Sequence, residues 1–187
     1  MAAILIDKPS QVTNYRSNGL FSQTGYSPVI VNTTSELTLI DGGVGSLSVP
    51  ANGFKVGDTF WAYMAGVISS NNGETLRIRI KTLSGLVLAD TGIVIMRNST
   101  AKPFLIDFKF SIWNIGPAGV ASILTIGTFQ YIENASDKFN VTESSSVNNT
   151  TFDTTIAQTL DITAQWGTAS PTNSIQTSIF VLTQLYG

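Results

Sequence analysis

The sequence predicts an all-β fold, a two-sheet antiparallel jelly-roll β-sandwich of about eight to ten strands. Three observations lead there. Apolar residues recur with a period of two along many segments, the signature of half-buried strands. Clusters of Gly, Pro, Asn and Ser punctuate those segments at short intervals. No run of ten or more residues shows a 3.6-residue period bounded by helix caps. The 187 residues also exceed the roughly 100 that a seven-strand immunoglobulin sandwich needs, which favours the larger jelly roll. No internal repeat is visible, which argues against a propeller or solenoid.

Residues 1–26 read as an N-terminal arm and residues 27–187 as the sandwich domain. Ile4, Leu5 and Ile6 can pair as a short strand, but the rest of the arm carries no period. Such a segment is either a loosely ordered terminus or an anchor to a neighbouring subunit or larger particle. Strand signals begin at Pro28–Val31, continue at Leu37–Ile40 before the Asp41–Gly43 turn, and return at Leu47–Val49. In the next segment Phe60, Ala62, Met64, Gly66 and Ile68 alternate with Trp61, Tyr63, Ala65 and Val67. Both faces are apolar, so this strand is expected to be central. Ser69–Gly73 contains Asn-Gly and reads as a hairpin turn into Thr75–Thr82.

There Leu76, Ile78 and Ile80 oppose Arg77, Arg79 and Lys81. Ser84 and Gly85 turn the chain into Leu86–Leu88, and Asp90–Gly92 turns it again before Ile93–Met96. Asn98–Pro103 reads as a loop. Phe104–Trp113 and Val120–Ile132, joined by Asn114–Gly119, read as a long hairpin. Glu133–Thr155 is polar, with Phe139, Val141 and Phe152 as interruptions. It is either a functional loop or one carrying a short strand at Phe139–Val141. Ile156–Trp166 and Asn173–Tyr186 alternate cleanly and read as a closing hairpin across Gly167–Thr172. Between Ile179 and Leu182 both faces turn apolar, as expected where a strand is covered on each side.

Charged residues are 12% of the chain, about half the roughly 25% usual in soluble domains. Ser, Thr, Asn and Gln replace them, giving a neutral polar surface suited to packing against copies of itself. The net charge of −2 shows neither a nucleic-acid footprint nor a basic membrane-binding face. Without Cys there is no disulfide framework, and without His the commonest general base and zinc ligand are both missing. The opening residues lack a basic region and a long apolar core, so no signal peptide is expected and synthesis in a cytoplasm is. No segment approaches the about 20 apolar residues of a membrane-spanning helix, so no membrane insertion is expected.

Catalytic residues are expected to be none. Ser-His-Asp and Cys-His arrangements cannot be assembled, and Gly42–Gly45 lacks the lysine of a phosphate-binding loop. Two carboxylates suffice for glycoside hydrolysis, but Asp41, Asp58, Asp90 and Glu133 sit where turns favour them. Glu133, Asp137, Glu143 and Asp153 lack the spacing of a calcium loop, so no metal and no cofactor are expected. Arg77, Arg79 and Lys81 form a basic stripe that reads first as a solvated face and second as an anion grip. Trp61, Trp113 and Trp166 are candidate sugar platforms. Trp166 shares parity with Leu160 and Ile162 and reads as core, while Trp61 and Trp113 can be covered by the second sheet or a subunit interface. Six Asn-x-Ser/Thr sites occur, at Asn32, Asn98, Asn134, Asn140, Asn148 and Asn149; this composition produces several by chance, and without a signal peptide their glycosylation is not expected.

Gly57–Phe60, Thr75–Ile80, Leu88–Gly92 and Thr159–Ser170 resemble segments of viral and phage structural proteins of the capsid, head-fibre or tail-spike kind. The resemblance spans roughly residues 45–186 and implies a trimeric, tumour-necrosis-factor-like jelly roll. It further implies a virion component at a capsid surface, vertex, fibre or spike, with a role in host attachment to a glycan or receptor. The arm would then join other capsid or tail proteins. The alternative is a carbohydrate-binding module of lectin type, its ligand-binding residues unknown beyond the aromatics and the 133–155 segment.

Overall fold

The computed structural model describes residues 18–186, which form fourteen strands in two antiparallel sheets packed face to face, with no helix among the described residues. The first five strands are short: β1 (Asn18–Gln23), β2 (Ile30–Val31), β3 (Leu37–Thr38), β4 (Gly43–Gly45) and β5 (Ser48–Val49). The long ones follow, β6 (Thr59–Ser70) and β7 (Thr75–Thr82), then β8 (Val87–Asp90) and β9 (Val94–Ile95). The last five are β10 (Ser99–Ile115), β11 (Val120–Ile132), β12 (Phe139–Asp153), β13 (Gln158–Trp166) and β14 (Ser174–Tyr186).

The larger sheet runs β12-β11-β10-β6-β14-β1-β4, with β2 also on β14; the smaller runs β3-β13-β7-β8, with β5 on β13 and β9 on β7. Taking β1, β3, β6, β7, β8, β10, β13 and β14 as eight principal strands, the first pairs with the last, the second with the seventh, the third with the sixth and the fourth with the fifth. That nested pairing is a ribbon of antiparallel strands wound into two sheets, the jelly roll expected from the sequence. To it β11 and β12 are added as an extension of the larger sheet beyond β10.

Alternation dictates the core. Phe60, Ala62, Met64 and Ile68 of β6 face Leu76, Ile78 and Ile80 of β7 and Leu160, Ile162, Ala164 and Trp166 of β13, all buried. At one end Phe60 stacks on Phe110 at 5.0 Å and Phe54 meets Phe152 edge-on at 5.2 Å, geometries that aromatic rings prefer. Gly66 sits mid-β6 where the β14 register shifts between Thr177 and Ile179. A Cβ there would lie 2.0 Å from the Gln176 carbonyl and 2.8 Å from Phe104. Gly66→Ala is therefore expected to lose on the order of 1–3 kcal/mol through overpacking, read as a lower midpoint in urea unfolding.

Four sequence expectations change. Asn18–Gln23, placed in the arm, is an interior strand between β14 and β4; a bulge between Gly19 and Phe21 breaks the alternation that would have revealed it. The Ile4–Ile6 run lies outside the described residues. Asn98–Pro103 is largely strand rather than loop, because β10 starts at Ser99 and absorbs a bulge before Lys102, with Ala101 at φ 49°. Glu133–Thr155 is largely the strand β12, longer than the short one considered, since polar Ser and Thr suffice on an edge strand whose partner β11 supplies the register.

Lastly, the two hairpins read at 69–73 and 167–172 are crossings between sheets. β6 and β14 lie in the larger sheet, β7 and β13 in the smaller. Gly73 does take the positive φ, 86°, that its Asn-Gly sequence implies, but local turn chemistry does not specify which sheet the next strand joins. The 104–132 hairpin forms as read, from Phe104↔Tyr131 to Ile115↔Ala121.

Candidate functional site

The two outer faces of the sandwich differ in chemistry. On the smaller sheet, the basic stripe of β7 is matched by acids. Arg77 binds Asp90 through both carboxylate oxygens, Nε to Oδ1 at 2.8 Å and Nη2 to Oδ2 at 2.5 Å. Arg79 binds Glu36, and Lys81 Nζ reaches Glu36 Oε1 at 2.8 Å. Thr38 Oγ1 donates to Asp161 Oδ1 at 2.6 Å, and Asp161 lies opposite Lys81 in the register. Three cations thus face three anions. The stripe is neutralised in place and is not a free grip for an anionic ligand.

Burial pushes the Glu36 carboxyl up, but hydrogen bonds from Lys81 and Thr163 and the Arg79 and Lys81 charges outweigh it and hold it below its ordinary value of 4.5. The Arg77 hydrogen bond, against a smaller effect of burial, holds Asp90 below its ordinary 3.8. Carboxyls whose folded values are depressed stabilise the fold fully above their unfolded values and lose that contribution as pH falls through the folded ones. The melting temperature is therefore expected to fall as pH drops from about 5 to about 3. In Glu36→Gln it should start lower at neutral pH and fall less steeply, which calorimetry across that range would check.

The other acids are engaged separately. Asp58, buried, accepts from the Lys55 amide at 2.8 Å and from Gln184 Nε2 at 3.2 Å, tying the start of β6 to the end of β14. Ser136 donates to Glu133 at 2.5 Å, Lys102 binds Asp137 at 2.5 Å, and Asp153 accepts from Thr155. Glu143 stands across from Thr128 midway along β12. No group of three potential metal ligands occurs among the described residues.

The larger sheet turns a different face outward. Register places its outward side chains in rows that cross the strands. One row joins Val141, Gln130, Leu105, Ala65 and Ile179; another joins Glu143, Thr128, Asp107, Tyr63 and Val181. A third contains Ile126, Lys109, Trp61 and Thr183. Ile126, Phe139, Val141 and Ile179 are each more than half exposed, and Val67 is 43% exposed. No element covers this face among the described residues. The charged side chains in these rows are Asp107, Lys109 and Glu143. Two of them hold each other: Asp107 Oδ1 accepts from Trp61 Nε1 at 2.9 Å and from Lys109 Nζ at 3.0 Å, and the ammonium lies 5.4 Å from the Trp61 ring centre. Exposed apolar side chains gathered on one sheet face, between rows of polar ones, are the make-up of an interaction surface.

The three tryptophans part company here. Trp166 is 1% exposed and belongs to the core, as its parity predicts. Trp61 stands on the open outer face and Trp113 is 57% exposed near the end of β10, so the second sheet covers neither. Sequence reading took the doubled apolar faces of β6 as a sign of a central strand, which it is between β10 and β14, and those of β14 as a sign of cover on both sides. The usable signal was there, in Val67 and Ile179, but alternation does not say whether a cover lies within the chain.

No protein-family model and no curated protein matches the chain. Among solved structures, a similar one is the CBM2 module of the evolved Dit of Lactobacillus casei BL23 phage J-1, at 10% identity and a TM-score of 0.36. The match covers 91% of this chain and 97% of that one. A likeness at that level carries no functional argument.

Proposed function

We propose that this chain is a non-enzymatic structural subunit of a virion, assembled with copies of itself through the outer face of the larger sheet. The observation that carries the self-association is the uncovered apolar face built from β12, β11, β10, β6 and β14. Five strands at about 4.8 Å spacing and nine residues at about 3.3 Å rise span roughly 700 Å² in plan. Side-chain relief adds to this, bringing it near the about 800 Å² per partner of a standard stable interface. A second copy suits the face because Asp107 and Lys109 balance each other, leaving Glu143 toward the β12 edge as its one unbalanced charge and only a weak field to select a charged partner.

A trimer is the preferred assembly, and a capsid-surface, vertex or fibre position with a part in host attachment is the preferred placement. Both rest on the resemblance of Gly57–Phe60, Thr75–Ile80, Leu88–Gly92 and Thr159–Ser170 to viral structural proteins. The arm, residues 1–17 of which precede β1, is the natural link to other particle proteins. Sedimentation velocity of the full chain at micromolar concentration tests the self-association. A species of three times the 20.0 kDa chain mass is expected, and a monomer across the whole concentration range would overturn the reading.

A further inference from the structure

At one end of the sandwich four connections converge: the β6–β7 crossing, the approach to β10, the β11–β12 link and the β13–β14 crossing. They enclose two open clefts of about 500 and about 420 Å³ that share Asn98, each within the range of small-ligand sites. The larger cleft has no charged lining residue. Its walls are hydroxyls and side-chain amides, with Pro171 as the exception.

Those groups are held in place. Asn71 Nδ2 donates to Thr172 Oγ1 at 2.8 Å, and Asn98 Oδ1 accepts the Asn72 amide at 2.7 Å. Asn134 accepts the Thr100 amide and donates to the Thr100 hydroxyl, both at 3.0 Å. Each bond fixes an amide plane and uses only part of its capacity. The Asn98 amide nitrogen and the Asn71 amide oxygen, a donor and an acceptor, are left for a ligand.

The smaller cleft adds Arg97 and Glu133. The Arg97 amide is anchored on the buried Tyr131 hydroxyl at 2.9 Å while its side chain is exposed. Unlike Arg77 and Arg79, it makes no ion pair among the described residues. The Ser136 hydrogen bond chiefly, with the Arg97 charge contributing, lowers the Glu133 carboxyl below its ordinary value.

We propose that these clefts form one binding site for a neutral oligosaccharide. Rigid amides and hydroxyls that offer donors beside acceptors complement vicinal sugar hydroxyls, each of which both donates and accepts. The absence of charge in the larger cleft gives an anion no advantage there, and the opposed Arg97 and Glu133 suit a diol lying between a guanidinium and a carboxylate. The polar walls give little reason for an apolar ligand to enter. This site is separate from the apolar sheet face and does not depend on the assembly proposed for it. It moves any glycan site from the aromatics to the Asn and Ser corners, with Glu133 and Asn134 of the 133–155 segment among its walls.

The test is a printed array of neutral and sialylated oligosaccharides probed with the labelled full chain, followed by calorimetric titration of the strongest neutral oligosaccharide. Binding to neutral sugars is expected, with at least a tenfold loss of affinity in both Arg97→Ala and Asn98→Ala. Arg97 makes no ion pair, so Arg97→Ala should melt as the wild type does and remains informative even if Asn98→Ala is destabilised. No neutral sugar bound, binding confined to sialylated sugars, or wild-type affinity in Arg97→Ala would each overturn the site.

Discussion

Replacing Trp166 by Ala is expected to remove on the order of 3–5 kcal/mol of stability, lowering the melting temperature by roughly 6–20 °C for a domain of this size. Trp166 is 1% exposed, lies opposite Leu76 in the β7–β13 register, and is the largest side chain among those fully buried. Its removal leaves a void under the end of the β7–β13 ladder, where the Gly167 amide donates to the Thr75 carbonyl at 2.8 Å within the smaller sheet. The indole N–H has no hydrogen-bond partner in the core. Trp166→Phe deletes that unpaired donor along with some volume, so its loss should be clearly smaller than that of the alanine variant. Scanning calorimetry of both variants checks the pair. Equal losses would mean that the volume between the sheets is not what Trp166 contributes.

The second large effect is on assembly. Val67 and Ile179 stand near each other on the outer face of β6 and β14, with Ile179 opposite Ala65. Both are substantially exposed in the single chain, so converting both to Lys should change its own stability by only about 0.5 kcal/mol per site. In a closed interface the same two ammonium groups would be buried without partners, at several kcal/mol each. The double variant Val67→Lys/Ile179→Lys is therefore expected to keep the β-rich circular dichroism of the wild type while losing the oligomer. Loss of the β signal together with the oligomer would instead show that these positions belong to the fold of the single chain.

The sheet architecture was legible because its residues obey one local rule. Leu76, Ile78 and Ile80 against Arg77, Arg79 and Lys81 specify a strand with an inside and an outside, and the structure puts each on the expected side. What alternation does not carry is partnership. The Asn72-Gly73 turn has the backbone that its sequence predicts, yet the strands it joins lie in different sheets. Glu36 illustrates the same limit for the basic stripe. It sits in the loop before β3 and meets Arg79 and Lys81 only because β3 and β7 flank the same strand, β13, and the side chains reach across it.

β12 was hidden for another reason. Its Ser and Asn residues have low local strand preference, and it is held by a ladder with β11 from Val120↔Asp153 to Ile132↔Phe139. The polar clefts were equally out of reach, since Asn71, Asn98, Asn134 and Thr172 come from four separate connections. The apolar outer face lay between these cases: its residues were visible as doubled apolar strands, and only the three-dimensional arrangement shows that nothing in the described chain covers them.

The most direct test of the central claim is the light-scattering molar mass of the full chain and of Val67→Lys/Ile179→Lys, measured side by side at the same micromolar concentration. The interface assigned to the larger sheet predicts an oligomeric mass for the wild type, three times 20.0 kDa in the preferred trimer, and 20.0 kDa for the variant. A wild type that is itself monomeric, or a variant that keeps the oligomeric mass, would contradict it.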